Sequence, residues 1–445
     1  MIQSIVLLLS LLAGQLLIPA GQNALIVDSP RQNKKPNIVL IMADDMGYEC
    51  LGSYGSAVYN TPHLDKLAAQ GVRFTHCYSQ PLCTPSRVQL MTGLYNFRNY
   101  EAFGYLNPKN KTFGNLLKEA GYATCIAGKW QLNGISGPEK QPGWDDTSRP
   151  HHFGFDEYCL WQLQQGRALG ERYADPLIVQ NGKNLPRNSE TYGPDIFTDF
   201  ILDFIEKKKD EPFFVYYPMA LVHDPFVPTP ASKEWALASN RYKDDTRHFK
   251  EMVEYSDKLA GRIMEKLRQT GLDQNTLVIF TGDNGTNVQI TSLMKDGTRV
   301  VGEKGSMTNG GTRVPLIASW AGRSAQGKIS QDLIDFTDFL PTLADAAGII
   351  APGEMDGRSF LPQVLGKRGN PKPYVYMYYK PLWGKFTNGV FARNRAYKLY
   401  GDGRFINVEK DVLELQPLKT EGLTAQEKAV YKQLQAVLSK MPEVR

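Results

Sequence analysis

The sequence predicts an α/β fold. A large, mostly parallel sheet flanked by helices precedes a smaller C-terminal α+β domain with a short antiparallel sheet and a closing helix. Three observations carry this. Short apolar, β-branched runs bounded by turn residues alternate with amphipathic helical patterns through most of the chain. The last few apolar runs are joined by links too short for crossovers, so they pair antiparallel. Four of the earlier runs each stop at chemically active residues, as strands ending on one sheet edge would.

The first strand is residues 37–43, NIVLIMA, and others are residues 123–127, 212–217 and 276–281. Each is continuously apolar, which suits a strand covered on both faces. Between them lie helical patterns. In TPHLDKLAAQG, Thr61 suits the cap, Pro62 the first turn and Gly71 the stop. TFGNLLKEAG, DIFTDFILDFIEKKK and HFKEMVEYSDKLAGRIMEKLRQTG follow, and DFTDFLPTLADAAG ends at Gly348. A Gly- and Pro-rich stretch then marks a boundary, giving a large domain over 36–350 and a small domain over 351–445. In the small domain YVYMYYK, GVFARN and YKLYGD read as short strands. Thr424 and Glu427 form a capping box for a last helix, whose Val430, Leu434, Leu438 and Met441 face the small sheet.

With 445 residues, 42% hydrophobic and 22% charged, the chain builds a real core and is not disordered. A net charge of +5 suits an anionic substrate, but no basic stripe or motif points to nucleic acid. Residues 2–20 are apolar and resemble a signal-peptide core, so residues 1–24 are expected to be a signal peptide and the protein to be exported, to a periplasmic, secreted or lysosome-like compartment. Gln15 and Pro19 leave that run short for a stable membrane span. The five cysteines match no zinc spacing, and an odd number leaves at least one thiol unpaired. Cys125 reads as a small buried residue.

Asp44-Asp45 follow the first strand, Gly128-Lys129 the second, His223 the third and Asp283-Asn284 the fourth. Asp44, Asp45, Asp283 and Asn284 are hard oxygen donors, which select Ca²⁺, or Mg²⁺, over zinc. Adjacent aspartates at a strand end repel one another without a cation. Arg87, Lys129 and Lys304 can hold a tetrahedral anion. His223 can exchange a proton near neutral pH.

The stretch Cys83-Thr84-Pro85-Ser86-Arg87 followed by VQLMTG resembles the maturation signature of the type I sulfatases. The family's other marks stand in order as PNIVLIMADDMGY, GYATCIAGKWQL, FGFDEY, HDPF, DNG and GGTRVP, with a similar YKLY segment near the end. The resemblance implies the alkaline-phosphatase-like fold and a Cys83 oxidised by a formylglycine-generating enzyme to the aldehyde formylglycine. It further implies a cation ligated by Asp44, Asp45, Asp283, Asn284 and residue 83. A hydrated aldehyde would attack the sulfate ester, with Arg87 orienting it, Lys129 and Lys304 offsetting charge and His223 protonating the leaving alcohol or binding sulfate. The second hydroxyl would then expel sulfate.

The family usually has His where this chain has Gln131. A carboxamide is not a working base, which leaves His151 or His152, a water or hydroxide, or slow turnover. The expected substrate is a sulfated poly- or oligosaccharide. Trp161, Tyr173 and two arginines within 157–182, or Trp383, could contact the sugar, or else pack ordinarily. A phosphonate monoester or phosphodiester hydrolase, and a non-catalytic anion-binding homologue, are the competing readings.

Overall fold

Among the described residues, ten strands form one mixed sheet. They are β1 (Asn37–Ala43), β2 (Val72–Tyr78), β3 (Ala123–Lys129), β4 (Glu157–Trp161), β5 (Ile178–Gln180), β6 (Lys183–Asn184), β7 (Phe213–Pro218), β8 (Thr276–Gly282), and, after the small β9 (Thr291–Leu293) and β10 (Arg299–Val301) hairpin, β11 (Arg313–Trp320) and β12 (Lys328–Asp335). The structure, a computed structural model, describes residues 35–134, 141–163, 172–351, 353, 355–442 and 444. The apolar N-terminal stretch lies outside the described residues.

The order across the sheet is β12-β2-β11-β8-β1-β7-β3-β4-β5-β6. Its centre, β8-β1-β7-β3-β4, is parallel throughout. Strand β11 runs antiparallel between β8 and β2, and β5 and β6 close the far edge antiparallel. Successive residues of β1 serve opposite faces. Val39 and Ile41 join a core with Ile201, Phe204, Leu259 and Ile263 of the helices Gly193–Lys207 and Phe249–Gln269. Ile38, Leu40 and Met42 join a second core with Val88, Leu117 and Leu343 of the helices Cys83–Thr92, Phe113–Glu119 and Phe339–Ala346. Each of these buried side chains contributes roughly 2 kcal/mol.

The helix Pro62–Gln70 starts where expected, but Thr61 does not cap it. Its hydroxyl is engaged by Gly52 N and Asp65. Asp257, from the long helix, accepts hydrogen bonds from Leu64 N at 2.8 Å and His63 N at 3.2 Å instead. A tertiary neighbour has taken the cap's place.

The small sheet is antiparallel: β13 (Val375–Tyr379), β14 (Gly389–Arg393), β15 (Tyr397–Tyr400) and β16 (Phe405–Asn407). The helix Ala425–Leu438 begins with the Thr424–Glu427 capping box. Leu434 and Val430 pack with Leu399 and Phe405 of the sheet.

Candidate active site

The adjacency of β8, β1, β7 and β3 brings their carboxyl ends to one edge. Backbone bonds then lock the loops together. Asp44 N donates to Leu221 O at 2.8 Å, Val222 N to Asp44 O at 2.7 Å, and Asp283 N to Ala43 O at 2.9 Å. Two glycines permit close approach. A Cβ on Gly128, whose φ is +127°, would stand 1.9 Å from Pro218 O, and one on Gly285 would stand 1.9 Å from Gly310 O. The second contact seats the Asp283 loop against the Gly-rich segment that carries Lys304.

Asp44, Asp45, Asp283 and Asn284 meet there, all fully buried. Three cations interleave with them. Lys129 Nζ is 2.7 Å from Asp44 Oδ2, and Lys304 Nζ is 2.6 Å from Asp45 Oδ2. Arg87 Nη2 reaches Asp283 Oδ2 at 2.9 Å and Asp44 Oδ1 at 3.4 Å, while Nη1 donates to Lys129 O at 3.0 Å. Burial opposes ionisation of Asp44, but Lys129, His223, Arg87 and Lys304 together hold it well below the usual carboxylate range. Asp283 goes the other way. Burial, and then the charge of Asp44, push it up to about 7 against the pull of Arg87 and Lys129.

The donor set fits a hard cation. Asn284 Nδ2 donates to Asp45 Oδ1 at 2.8 Å and to Gly285 O, yet its Oδ1 is buried without a hydrogen-bond partner. An orphaned amide oxygen beside three buried carboxylates is what an oxygen-coordinated divalent ion would satisfy. Among the described residues, ligand atoms of Asp44, Asp45 and His223 also lie within 4.8 Å of one another.

Cys83 opens the helix Cys83–Thr92, which is buried on every side. Its apolar neighbours include Leu82, Phe103 and Tyr379. Burial raises the thiol's pKa, while the charges of Lys129 and Lys304 act to lower it, and those of Asp283 and Asp44 to raise it. One turn on, Arg87 reaches Asp44 and Asp283. Gly305 N donates to Pro81 O at 2.9 Å, tying the Lys304 segment to the start of this helix. All five cysteines are buried and free.

His223 Nε2 lies 2.9 Å from Lys304 Nζ, and its Nδ1 lies 2.9 Å from Asp224 Oδ1. Burial lowers the imidazole pKa; Asp45 opposes this, and Lys304, Lys129 and Arg172 add to it. Asp224 was not expected as a partner, although its place beside His223 in HDPF was a usable signal. His151 and His152 are not placed to stand in for a base at 131. His151 Nδ1 is bonded to Phe155 O and the exposed His152 faces Asp146, at the start of β4, whereas the site lies beyond the strands' other ends. Gln131 itself is buried, with φ +56° and an Oε1 without a partner.

Among the aromatic candidates, Tyr173 is buried and donates to Ala220 O and His223 O, so it packs the His223 loop. Trp161 is buried with the Arg172 guanidinium 4.2 Å from its ring centre. Trp383 is 47% exposed and stacks on Phe103 at 4.5 Å, with Phe386 beyond it at 6.1 Å. Arg167 lies outside the described residues.

Known proteins share this arrangement of chain. The family model described as Sulfatase matches residues 36–349, and that for the C-terminal part of N-sulphoglucosamine sulphohydrolase matches residues 300–443. N-acetylgalactosamine-6-sulfatase of Canis lupus familiaris is 32% identical over 381 residues, covering 77% of this chain and 68% of that protein. Arylsulfatase A of Homo sapiens is 32% identical over 404 residues, covering 82% and 75%. The crystal structure of Ps i-CgsB in complex with k-i-k-neocarrahexaose is 26% identical with a TM-score of 0.73, covering 92% of each chain. With a family model spanning the large sheet and such relatives beside it, the chain belongs to the type I sulfatase family, in the alkaline-phosphatase-like superfamily, and is a sulfuric ester hydrolase.

Proposed function

We propose that this sulfatase removes sulfate from a sulfated carbohydrate, with Cys83 oxidised to formylglycine and Ca²⁺, or Mg²⁺, held by Asp44, Asp45, Asp283, Asn284 and residue 83. The observation that carries this reading is the pairing of Lys129 with Asp44 and of Lys304 with Asp45, the two lysines and Asp44 being charges that also act on Cys83. With a cation held by Asp44, Asp45, Asp283 and Asn284 and residue 83 matured, the hydrated aldehyde would supply a nucleophilic oxygen and a second hydroxyl on the same carbon.

The chain's own residues do the rest. Arg87 holds Asp44 and Asp283 in register and fixes the first turn of the Cys83 helix. Lys129 and Lys304 form a cationic cradle for the sulfuryl oxygens, preorganised by their carboxylates. His223 keeps its Nδ1 proton towards Asp224 and turns Nε2 to the leaving alcohol; protonated there, the imidazolium gives up the Nε2 proton and returns to the neutral ring that accepts from Lys304. Gln131 offers hydrogen bonds but no titration, so a water takes the role of the family's usual base.

Two features support a sugar. Trp383 presents an exposed ring backed by Phe103. A groove of about 420 Å³ starts at Lys304 and is lined by Ser306, Phe386, Lys385 and Arg404. Aromatic walls with a few polar groups suit a saccharide carrying anionic groups. Export, the signal peptide over 1–24, the domain division at 350 and a formylglycine-generating enzyme as maturation partner complete the reading.

The test is sulfate release from a panel of sulfated oligosaccharides, and from matched sulfate and phosphate esters, by protein co-produced with a formylglycine-generating enzyme. The peptide bearing residue 83 is expected to show CHO in place of CH₂SH, with sulfate release tracking that fraction. Sulfate release by fully unmodified thiol protein, or faster turnover of phosphate esters, would overturn it.

A further inference from the structure

Among the described residues, Arg172 has no hydrogen-bonding or ionic partner that explains its place. Its Nη1 is buried without a hydrogen-bond partner, and among the described residues no carboxylate pairs with it. A buried guanidinium nitrogen left unpaired is costly, and native structures fill such positions with an acceptor.

Its location is well defined. The guanidinium lies over Trp161, the last residue of β4, which is in register with Lys129 at the end of β3. Trp130 N donates to Trp161 O at 2.9 Å. The next residue, Tyr173, is pinned to His223 O. Arg172 therefore bridges the two walls that present Lys129 and His223, and its charge is felt at both His223 and Asp224. On this side of the site Trp161 Nε1 and Gln131 Oε1 are also buried without a hydrogen-bond partner among the described residues.

Resting on the sulfatase reading, we infer that Arg172 forms a second anion-reading position beside the reacting sulfate, where it binds an oxyanion elsewhere on the sugar. That oxyanion is either a second sulfate or a uronate carboxylate, both of which match the planar fork of a guanidinium. Trp161 holds the fork flat from below, and its indole N–H and the Gln131 carboxamide bond neighbouring hydroxyls. The enzyme thereby prefers a multiply anionic saccharide over a monosulfated one.

The experiment compares matured wild type with Arg172→Gln and Arg172→Lys on an aryl sulfate, a monosulfated disaccharide, a disulfated disaccharide and a uronate-containing sulfated disaccharide. Arg172→Gln is expected to raise KM for the doubly anionic substrates at least about tenfold. On the pH plateau it should leave kcat, and all constants for the aryl sulfate, unchanged, any change being confined to the pH range in which His223 titrates. Arg172→Lys should recover part of the loss, and whichever disaccharide suffers more identifies the oxyanion. Equal loss on every substrate would assign Arg172 to holding the His223 loop, and unchanged KM throughout would mean that solvent satisfies it; either result overturns the proposal. Calorimetric binding of the same disaccharides to unmatured protein repeats the comparison without turnover, so it stands apart from a failure of the sulfatase chemistry. Thermal unfolding checks that both variants fold, and should Arg172→Gln not fold, Arg172→Lys carries the test.

Discussion

Lys304 donates to His223: Nζ stands 2.9 Å from Nε2, while Nδ1 of the same ring stands 2.9 Å from Asp224 Oδ1. The contact places the imidazole proton on Nδ1 and leaves Nε2 as the acceptor. Lys304 thus has two tasks, charge and orientation, because it is also 2.6 Å from Asp45. Replacing it with Ala is expected to lower kcat on an aryl sulfate by roughly a hundred- to a thousandfold, the cost of removing one preorganised charge donor. A loss confined to KM would contradict the assignment.

Gln131→His restores a titrating group at a position whose φ of +56° histidine tolerates better than most residues. The pH–rate profile should gain an ionisation near neutrality, and kcat should change. If neither moves, position 131 has no part in proton transfer.

Removal of divalent cations with EDTA is expected to abolish turnover, and Ca²⁺ to restore it more fully than Mg²⁺. The site's irregular oxygen donors suit the larger ion. A readout independent of activity is available, since added Ca²⁺ should raise the unfolding temperature. Asp283→Asn should weaken that response.

Lys372 ties the segment before β13 to the end of β12. Its Nζ lies 2.7 Å from Asp335 Oδ2 and 2.9 Å from Asp338 Oδ1, and all three side chains are buried. Lys372→Met leaves two carboxylates without their cation, at a cost of about 3–5 kcal/mol in chemical denaturation. Sulfatase chemistry in the surviving folded fraction should be unaffected.

His76 reports on acid stability. Burial, and then Arg313, Arg393 and Arg395, depress its pKa to about 3. The ring stays neutral in the fold, while the unfolded chain takes up the proton near pH 6.5. The stability it contributes is present above pH 6.5 and is lost as pH falls from there towards 3. The slope reaches at most about 1.4 kcal/mol per pH unit. His76→Gln should flatten that part of the curve in urea unfolding at several pH values.

Strands β1, β3, β7 and β8 were legible because sheet centres are buried on both faces, so their sequences are unbroken apolar runs. Strands β2, VRFTHCY, and β12, KISQDLID, lie towards one edge and alternate with polar residues, which hides them. Strand β11 carries Pro315 and follows a Gly-rich loop, so its antiparallel insertion gave no local signal. The residue types at the rim could be read from the strand ends. Their pairings could not. Arg87 lies 196 positions from Asp283, and the helix at Pro62 is capped by Asp257, 193 positions from Leu64. The end of the sheet that His151 and His152 occupy depends on the direction of β4, which composition does not encode.

The helix that begins at Cys83 shows no residue to solvent. The finished molecule leaves the thiol no open approach, so the oxidation proposed for it would need that helix uncovered. On the proposed reading that oxidation belongs to biogenesis, before the helix is buried. A copy buried before oxidation would then keep its sulfur, and the active fraction of a preparation would record which of the two events on the nascent polypeptide came first.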